Sequence, residues 1–199
     1  MTFLNVAKIL TEYSKSECLW GLEPNKYVAK IPKLIKPGKV LDIGAGEGRN
    51  SLYLAQQGFD VTSVDISKDA LGKLVTFAKK NKLNINSVLK NITDFEFNEQ
   101  YDVIISTATL HLINKENLFQ LMDKMKEKTR KNGLNLITVF TDKDAGHEQF
   151  PDLYFFNETE IKNIYNEWDI IEHFTYIKEE SHGKPHTHHI CVLIARKKF

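Results

Sequence analysis

The feature that most constrains this sequence is an alternation: short runs rich in Val, Ile and Leu are separated by segments long enough to be helices. Strands spaced in this way need crossover connections, and crossovers join parallel strands. The runs predicted as strands are Val40–Gly44, Asp60–Asp65, Ile85–Asn91, Tyr101–Thr107, Leu134–Phe140, Trp168–Tyr176 and His189–Arg196. Several are almost continuously apolar, as in sheets covered on both faces. Between them, Arg49–Gln57, Lys68–Asn81, Lys115–Lys131 and Glu158–Asn166 place apolar residues three and four apart, for example Leu118, Leu121, Met122 and Met125. Ser67 is positioned to cap the second of these helices, and Gly133 follows the basic end of the third. Pro24 or Asn25 opens a further helix through Tyr27 and Ile31. Only Ile177–His188, with no helical pattern, separates the last two strands, so they pair as an antiparallel hairpin. The expected fold is α/β: a doubly wound, mostly parallel sheet whose last strand is antiparallel.

Composition narrows the class. A length of 199 residues suits one domain, and no linker, repeat or low-complexity tract divides it. Residues 1–24 read as an amphipathic N-terminal extension or lid and residues 25–199 as the main domain; Tyr13, Trp20 and Tyr27 read first as packing residues and alternatively as a lid over the cofactor. Hydrophobic residues at 42% and charged residues at 27% exclude disordered and fibrous classes. Lys and Arg number 27 against 26 Asp and Glu, which leaves no bulk field to draw a polyanion, so nucleic acid is not expected as a partner. Cys18 and Cys191 form no CxxC pair or disulfide framework, which fits a reducing, cytoplasmic compartment. No export signal is visible and no stretch reaches the roughly 18 apolar residues of a membrane helix, so no membrane partner is expected either.

The segment Val40-Leu41-Asp42-Ile43-Gly44-Ala45-Gly46-Glu47-Gly48-Arg49-Asn50 puts three glycines directly after a strand and before a helix. Glycine tolerates positive φ and lacks Cβ, and the following helix offers unpaired N–H groups and a positive dipole end, so a ligand's anionic group is favoured there. The spacing is Gly-x-Gly-x-Gly with an acid two residues earlier, not the Gly-x-Gly-x-x-Gly of a dinucleotide site. It argues for S-adenosylmethionine and against NAD. The second strand ends in Asp65, where a carboxylate can accept hydrogen bonds from both ribose hydroxyls.

DIGAGEG followed by VTSVDIS resembles the first two motifs of class I S-adenosylmethionine-dependent methyltransferases. That resemblance implies a Rossmann-like sheet of order 3-2-1-4-5-7-6. It also implies a cofactor set of Asp42, Gly44, Ala45, Gly46, Gly48, Asn50, Asp65 and Ile66, with Asn91 and Ile92 at the adenine and Ser106 and Thr107 near the methionine moiety. Asn91 stands where family members often carry Asp, with Asp94 as the alternative. GEGRNSLYLAQQGFDVTSVD, LYFF, WDI and LIARKK look like the tellurite-resistance branch and its small-molecule relatives. That branch carries arginines in the late loop where this chain has Lys184 and histidines.

Ligands of such sheets bind outside the carboxyl ends of the parallel strands. Two loops leave at that edge: Thr141–Pro151, with His147 and Glu148, and the hairpin loop, with His182, His186 and His188. Methyl transfer from a sulfonium needs alignment above all, and a general base only for protonated acceptors. Histidine suits either task, and the candidates rank His182, His186, His147. His111, just past the fourth strand, is a further residue near the donor, and His189 is expected to be structural. His182, His186 and His188 also make an H-x3-H-x-H pattern, but no paired Cys supports a zinc site and no metal is expected. The expected function is methylation of a small soft nucleophile, a tellurium or selenium oxyanion or a thiol, by a monomer or homodimer. The alternatives are a non-catalytic S-adenosylmethionine-binding regulator and a protein or RNA methyltransferase, the last of which calls for a basic, aromatic-lined surface that the composition does not indicate.

Overall fold

The computed structural model describes residues 6–148, 150, 153–180 and 186–198. Seven strands form one sheet in the order β3-β2-β1-β4-β5-β7-β6. They are β1 (Lys39–Ile43), β2 (Asp60–Asp65), β3 (Ile85–Leu89), β4 (Tyr101–Thr107), β5 (Thr129–Phe140), β6 (Asp169–Glu180) and β7 (His186–Arg196). The first five pair in parallel, while β7 runs antiparallel to both β5 and β6. The chain steps outward from β1 to β3 and then returns to the other side of β1, which opens a crevice at the carboxyl ends of β1 and β4.

The helices are α1 (Val6–Lys15), α2 (Ile31–Leu34), α3 (Arg49–Gln56), α4 (Lys68–Lys80), α5 (Lys115–Lys128) and α6 (Glu160–Ile164). Alternation along the strands feeds two cores. Leu41, Ile43, Ile104, Ile137 and Leu193 pack with Leu118, Met122 and Met125 of α5 on one face of the sheet. Val40, Val103, Ile105, Leu136 and Val192 pack with Leu54 of α3 and with Val28 and Ile31 on the other. With both faces covered, strand residues of either parity are apolar, which is why the runs read as continuous. Among the described residues, no helix is long and apolar enough to cross a membrane.

Several boundaries differ from the sequence reading, each for a local reason. The helix expected to reach Lys131 stops at Lys128, where the Thr129 hydroxyl oxygen lies 2.7 Å from both Met125 O and Asn135 Oδ1 and its single hydrogen serves one of them at a time. The Lys197 ammonium then donates to the carbonyls of Lys126, Glu127 and Thr129 at 2.7, 3.1 and 2.8 Å, so a cation closes this helix end, not Gly133. The helix through Tyr27 is a 3-10 turn, Val28–Lys30, running into the four-residue α2. The expected Glu158–Asn166 helix is limited to α6. The hairpin strands are longer than expected: Lys178 pairs with His188, and Glu180 with His186. These polar pairs extend the ladder beyond the apolar run, leaving only residues 181–185 to connect the strands. Ser67 caps α4 as expected, its hydroxyl accepting the Ala70 N–H at 3.2 Å.

Candidate functional site

The glycine loop leaves β1 with Gly44, Gly46 and Gly48 at φ of +71°, +55° and +83°. A Cβ on Gly44 would lie 2.2 Å from Thr109 Oγ1, one on Gly46 2.7 Å from the Tyr13 hydroxyl, and one on Gly48 2.4 Å from Leu74 Cδ1. The turn thus needs three side-chain-free residues for its own backbone and for the elements closing around it. The N–H groups of Gly44 and Ala45 donate to Val64 O at 2.9 and 3.1 Å, which pins the loop to the end of β2.

Asp65 follows Val64 at the end of β2. Its Oδ2 accepts the Gly46 N–H and its Oδ1 the Ser67 N–H, each at 2.8 Å. Burial pushes the carboxyl above its usual range, and the amide hydrogen bonds pull it back only in part. A carboxylate has about four lone-pair directions. The amides of Gly46, Ser67 and Ile66 take up part of this capacity, and what remains suits a vicinal diol, so the residue fits the ribose of an adenosyl ligand.

One cavity of about 340 Å³ is lined by Gly44, Ala45, Gly46, Gly48, Asn50, Asp65, Ile66, Asn91, Ile92 and Thr107, ten of the residues the sequence nominated for the cofactor. Asn50 braces it, donating from Nδ2 to Thr107 Oγ1 and accepting the Asn25 N–H at Oδ1, both at 2.9 Å. Asn91 sits on the wall with its side-chain oxygen accepting the Thr93 N–H at 3.2 Å, and the exposed Asp94 is not part of the lining. Two nominated residues lie behind the wall. Ser106 is buried and its hydroxyl donates to Ile43 O at 3.3 Å. Asp42 is buried under the loop, where Oδ2 accepts the Ser51 hydroxyl (2.6 Å), that hydroxyl accepts from Ser63 (2.7 Å), and Oδ1 has no partner. Loss of water around it drives the Asp42 carboxyl up to about 7, against the Ser51 hydrogen bond.

The N-terminal segment closes one side of the cavity. Glu47, from the glycine loop, accepts the N–H groups of Leu19 (2.7 Å) and Trp20 (3.2 Å) at Oε2. Its Oε1 pairs with Lys73 at 2.8 Å, and Lys73 also donates to the carbonyls of Tyr13 and Ser16, both at 2.6 Å. Tyr13 and Trp20 line the cavity, joined by a Trp20 Nε1–H to Tyr13 hydroxyl bond of 3.1 Å. Tyr27, the third of these aromatics, packs as the first reading has it, buried against Phe174 and Tyr176 beneath the sheet.

The far side of the same cavity is built from His111, Thr138 and Phe140, and from Tyr176, Lys178 and Glu180 of β6 and His186, His188 and Ile190 of β7. His111 stacks on Phe140 (4.1 Å between ring centroids), and Phe140 stacks on His188 (4.2 Å). Burial, helped by the neighbouring His188, depresses His111 to about 3, so its ring stays neutral. His188 Nδ1 lies 3.0 Å from Asp144 Oδ2, which also accepts the His189 N–H at 2.8 Å, while Oδ1 accepts the Gly146 N–H at 2.8 Å. Burial alone would raise the Asp144 carboxyl, but these hydrogen bonds more than reverse it and hold it below its ordinary range. An ionised carboxylate only accepts, so the hydrogen of this contact sits on His188 Nδ1.

Of the three ranked histidines, only His186 is placed on the cavity. His147 is exposed with its ring against Phe155 (5.2 Å) and is not among the lining residues. His182 lies outside the described residues. The loop after β5 supports the wall through Asp144, and none of its described residues lines the cavity. His189, expected at the start of its strand, lies three residues inside β7, where its Nδ1 is 2.6 Å from Thr141 Oγ1. Sequence reasoning missed Glu47, Lys73 and the Asp144–His188 pair as functional groups. The H-x-H alternation at His186 and His188, which puts both on one face of a strand, was the available signal.

The family model for "Tellurite resistance protein TehB" matches residues 23–189. The probable S-adenosyl-L-methionine-dependent methyltransferase TehB of Haemophilus influenzae is 35% identical over 175 residues, which covers 86% of this chain and 61% of that protein. The chain therefore spans about three-fifths of the length of the curated TehB relatives it matches. The crystal structure of TehB from Haemophilus influenzae aligns with a TM-score of 0.78 at 34% identity, over 87% of this chain and 62% of that one. The N-methyltransferase NodS from Bradyrhizobium japonicum in complex with S-adenosylhomocysteine shares the fold, with a TM-score of 0.70 at 16% identity over 95% of this chain and 98% of that one. With the glycine loop, the Asp65 carboxylate at the end of β2 and the sheet order already in place, the chain belongs to the TehB family of S-adenosylmethionine-dependent methyltransferases, and S-adenosylmethionine is its cofactor.

Proposed function

We propose that this chain transfers the methyl group of S-adenosylmethionine to a small, soft nucleophile: a selenium or tellurium oxyanion, or a thiol. The observation that carries this reading is the continuity of one cavity from the glycine loop and Asp65 to the wall formed by His111, Phe140, Lys178 and the β7 histidines. When bound, S-adenosylmethionine supplies a methyl group on a sulfonium, a leaving group that needs no acid. The chain's own residues then have two tasks, to hold donor and acceptor in line and to exclude water.

The positive dipole end of α3 and the N–H groups of its first turn favour a carboxylate. Asp65 offers its remaining acceptor sites to a diol, and Tyr13 and Trp20 cover the opening. At the other end, the ammonium of Lys178, ion-paired with Glu180 yet 43% exposed, favours an anionic acceptor, and Phe140 gives it an apolar surface. His111 is too weak a base to take a proton near neutral pH, so it serves as a neutral ring packed on Phe140. Soft anions that arrive already ionised suit a site with this balance of groups.

The test is transfer of label from methyl-labelled S-adenosylmethionine to selenite, tellurite or 2-mercaptoethanol. Label in a small-molecule product is expected, and Lys178→Met is expected to lower kcat/KM for the two oxyanions by about tenfold, as loss of one steering charge does. Cofactor binding without transfer to any of the three would turn the reading to a non-catalytic S-adenosylmethionine-binding protein.

A further inference from the structure

We propose that Glu180, His186 and His188 bind a divalent transition-metal ion at the acceptor end of the cavity. The inference deepens the methyltransferase reading, on which it rests for the identity of the neighbouring ligand. One ligand atom from each of the three residues lies within 4.8 Å of the others, the only such group of three among the described residues. Sheet geometry brings them together. Glu180 is paired directly with His186 across the hairpin, and His188 follows two residues later, on the same face. All three line the cavity.

The surroundings prepare the donors for an ion. Asp144 fixes the His188 tautomer, with hydrogen on Nδ1, so the lone pair is on Nε2. A carboxylate behind a ligating imidazole, itself held by backbone N–H groups, is the usual second layer of a metal site. Here those groups are His189 and Gly146, and stacking on Phe140 fixes the plane of the ring. The Glu180 side chain is only 12% exposed and already serves a cation, pairing with the Lys178 ammonium, which an ion would displace or join.

Two imidazoles and one carboxylate suit Zn²⁺ or Fe²⁺ and disfavour Mg²⁺ and Ca²⁺, which prefer all-oxygen shells. Three protein ligands leave a coordination position open toward the cavity, where an oxyanion or thiolate acceptor fits as the fourth. The sequence pattern suggested no metal, and its trio of His182, His186 and His188 lacked the carboxylate. The strand pairing is what brings Glu180 to the two histidines.

The experiment uses the full chain without an affinity tag and titrates Zn²⁺ by calorimetry against a competing chelator. Co²⁺ absorption reports the coordination geometry, and S-adenosylhomocysteine is titrated into the same preparations. The expected result is one Zn²⁺ per chain, with tetrahedral Co²⁺ bands. Glu180→Gln, close to isosteric, and His186→Ala, at a half-buried position, should each weaken Zn²⁺ binding at least about 100-fold, since loss of even a second-layer partner costs 10–100-fold. Mg²⁺ should not compete. Absence of Zn²⁺ binding by the natural chain, or unchanged binding in both variants, overturns the site. S-adenosylhomocysteine binding without Zn²⁺ binding removes the ion site and leaves the methyltransferase reading standing, and Zn²⁺ binding without S-adenosylhomocysteine binding does the reverse.

Discussion

Asp42 rests one carboxylate oxygen on Ser51 and the other on nothing, in a place water does not reach. Its carboxyl titrates near 7 in the fold against an ordinary value of 3.8. The unfolded chain therefore gives up this proton first as pH rises. The stability Asp42 contributes is present below pH 4 and lost as pH climbs through 7, a swing on the order of 4 kcal/mol. Urea unfolding from pH 4 to pH 8 should show Asp42→Asn gaining on the natural chain across that window, and a constant difference would mean that Asp42 does not titrate there. Gly48 is held by geometry: at φ +83° and with Leu74 Cδ1 2.4 Å from a built Cβ, Gly48→Ala should cost about 2–4 kcal/mol in the same assay. The glycines and Asp65 were legible in the sequence because their chemistry is local, set by spacing along one loop and one strand end. The Asp144–His188 pair was not, because its members stand 44 residues apart and meet only when the loop after β5 folds back on β7.

At the scale of elements, β1, β2 and β4 were read to within a residue, since buried apolar runs state their own limits, whereas β3 ends two residues earlier and β5 begins five residues earlier, through the polar Thr129–Gly133, than the apolar runs indicate. The hairpin was not. Its outer rungs pair Lys178 with His188 and Glu180 with His186, residues that in sequence look like a solvated loop. Cross-strand pairing and the cavity they face make them strand, and they carry the acceptor wall. The N-terminal segment was legible as a possible lid, but not its fastening, which depends on Glu47 and Lys73 from two separate elements. Lys73→Met removes the cation from Glu47, which is almost fully buried, and frees the carbonyls of Tyr13 and Ser16. Hydrogen exchange at the Leu19 and Trp20 amides should quicken at least about tenfold, with weaker S-adenosylhomocysteine binding. Unchanged exchange would show that the segment is held by its apolar contacts alone.

For the whole molecule, the order β3-β2-β1-β4-β5-β7-β6 places the glycine loop, Asp65 and the hairpin wall around one crevice, although they are spread over nearly 150 residues of chain. The sheet was readable from alternation, and its direction rules sorted which loops meet. The distances that decide chemistry, such as Gly46 N–H to Asp65, required the fold. The account stands on Asp65 and the glycine loop together forming an adenosyl site, and calorimetric titration of S-adenosylhomocysteine into the natural chain and into Asp65→Ala tests this most directly. One equivalent should bind the natural chain, and Asp65→Ala, with its circular dichroism unchanged, should bind at least about 100-fold more weakly, as expected for losing two hydrogen bonds to a charged acceptor at about 1.5 kcal/mol each. No binding by the natural chain, or equal binding by the variant, would contradict it.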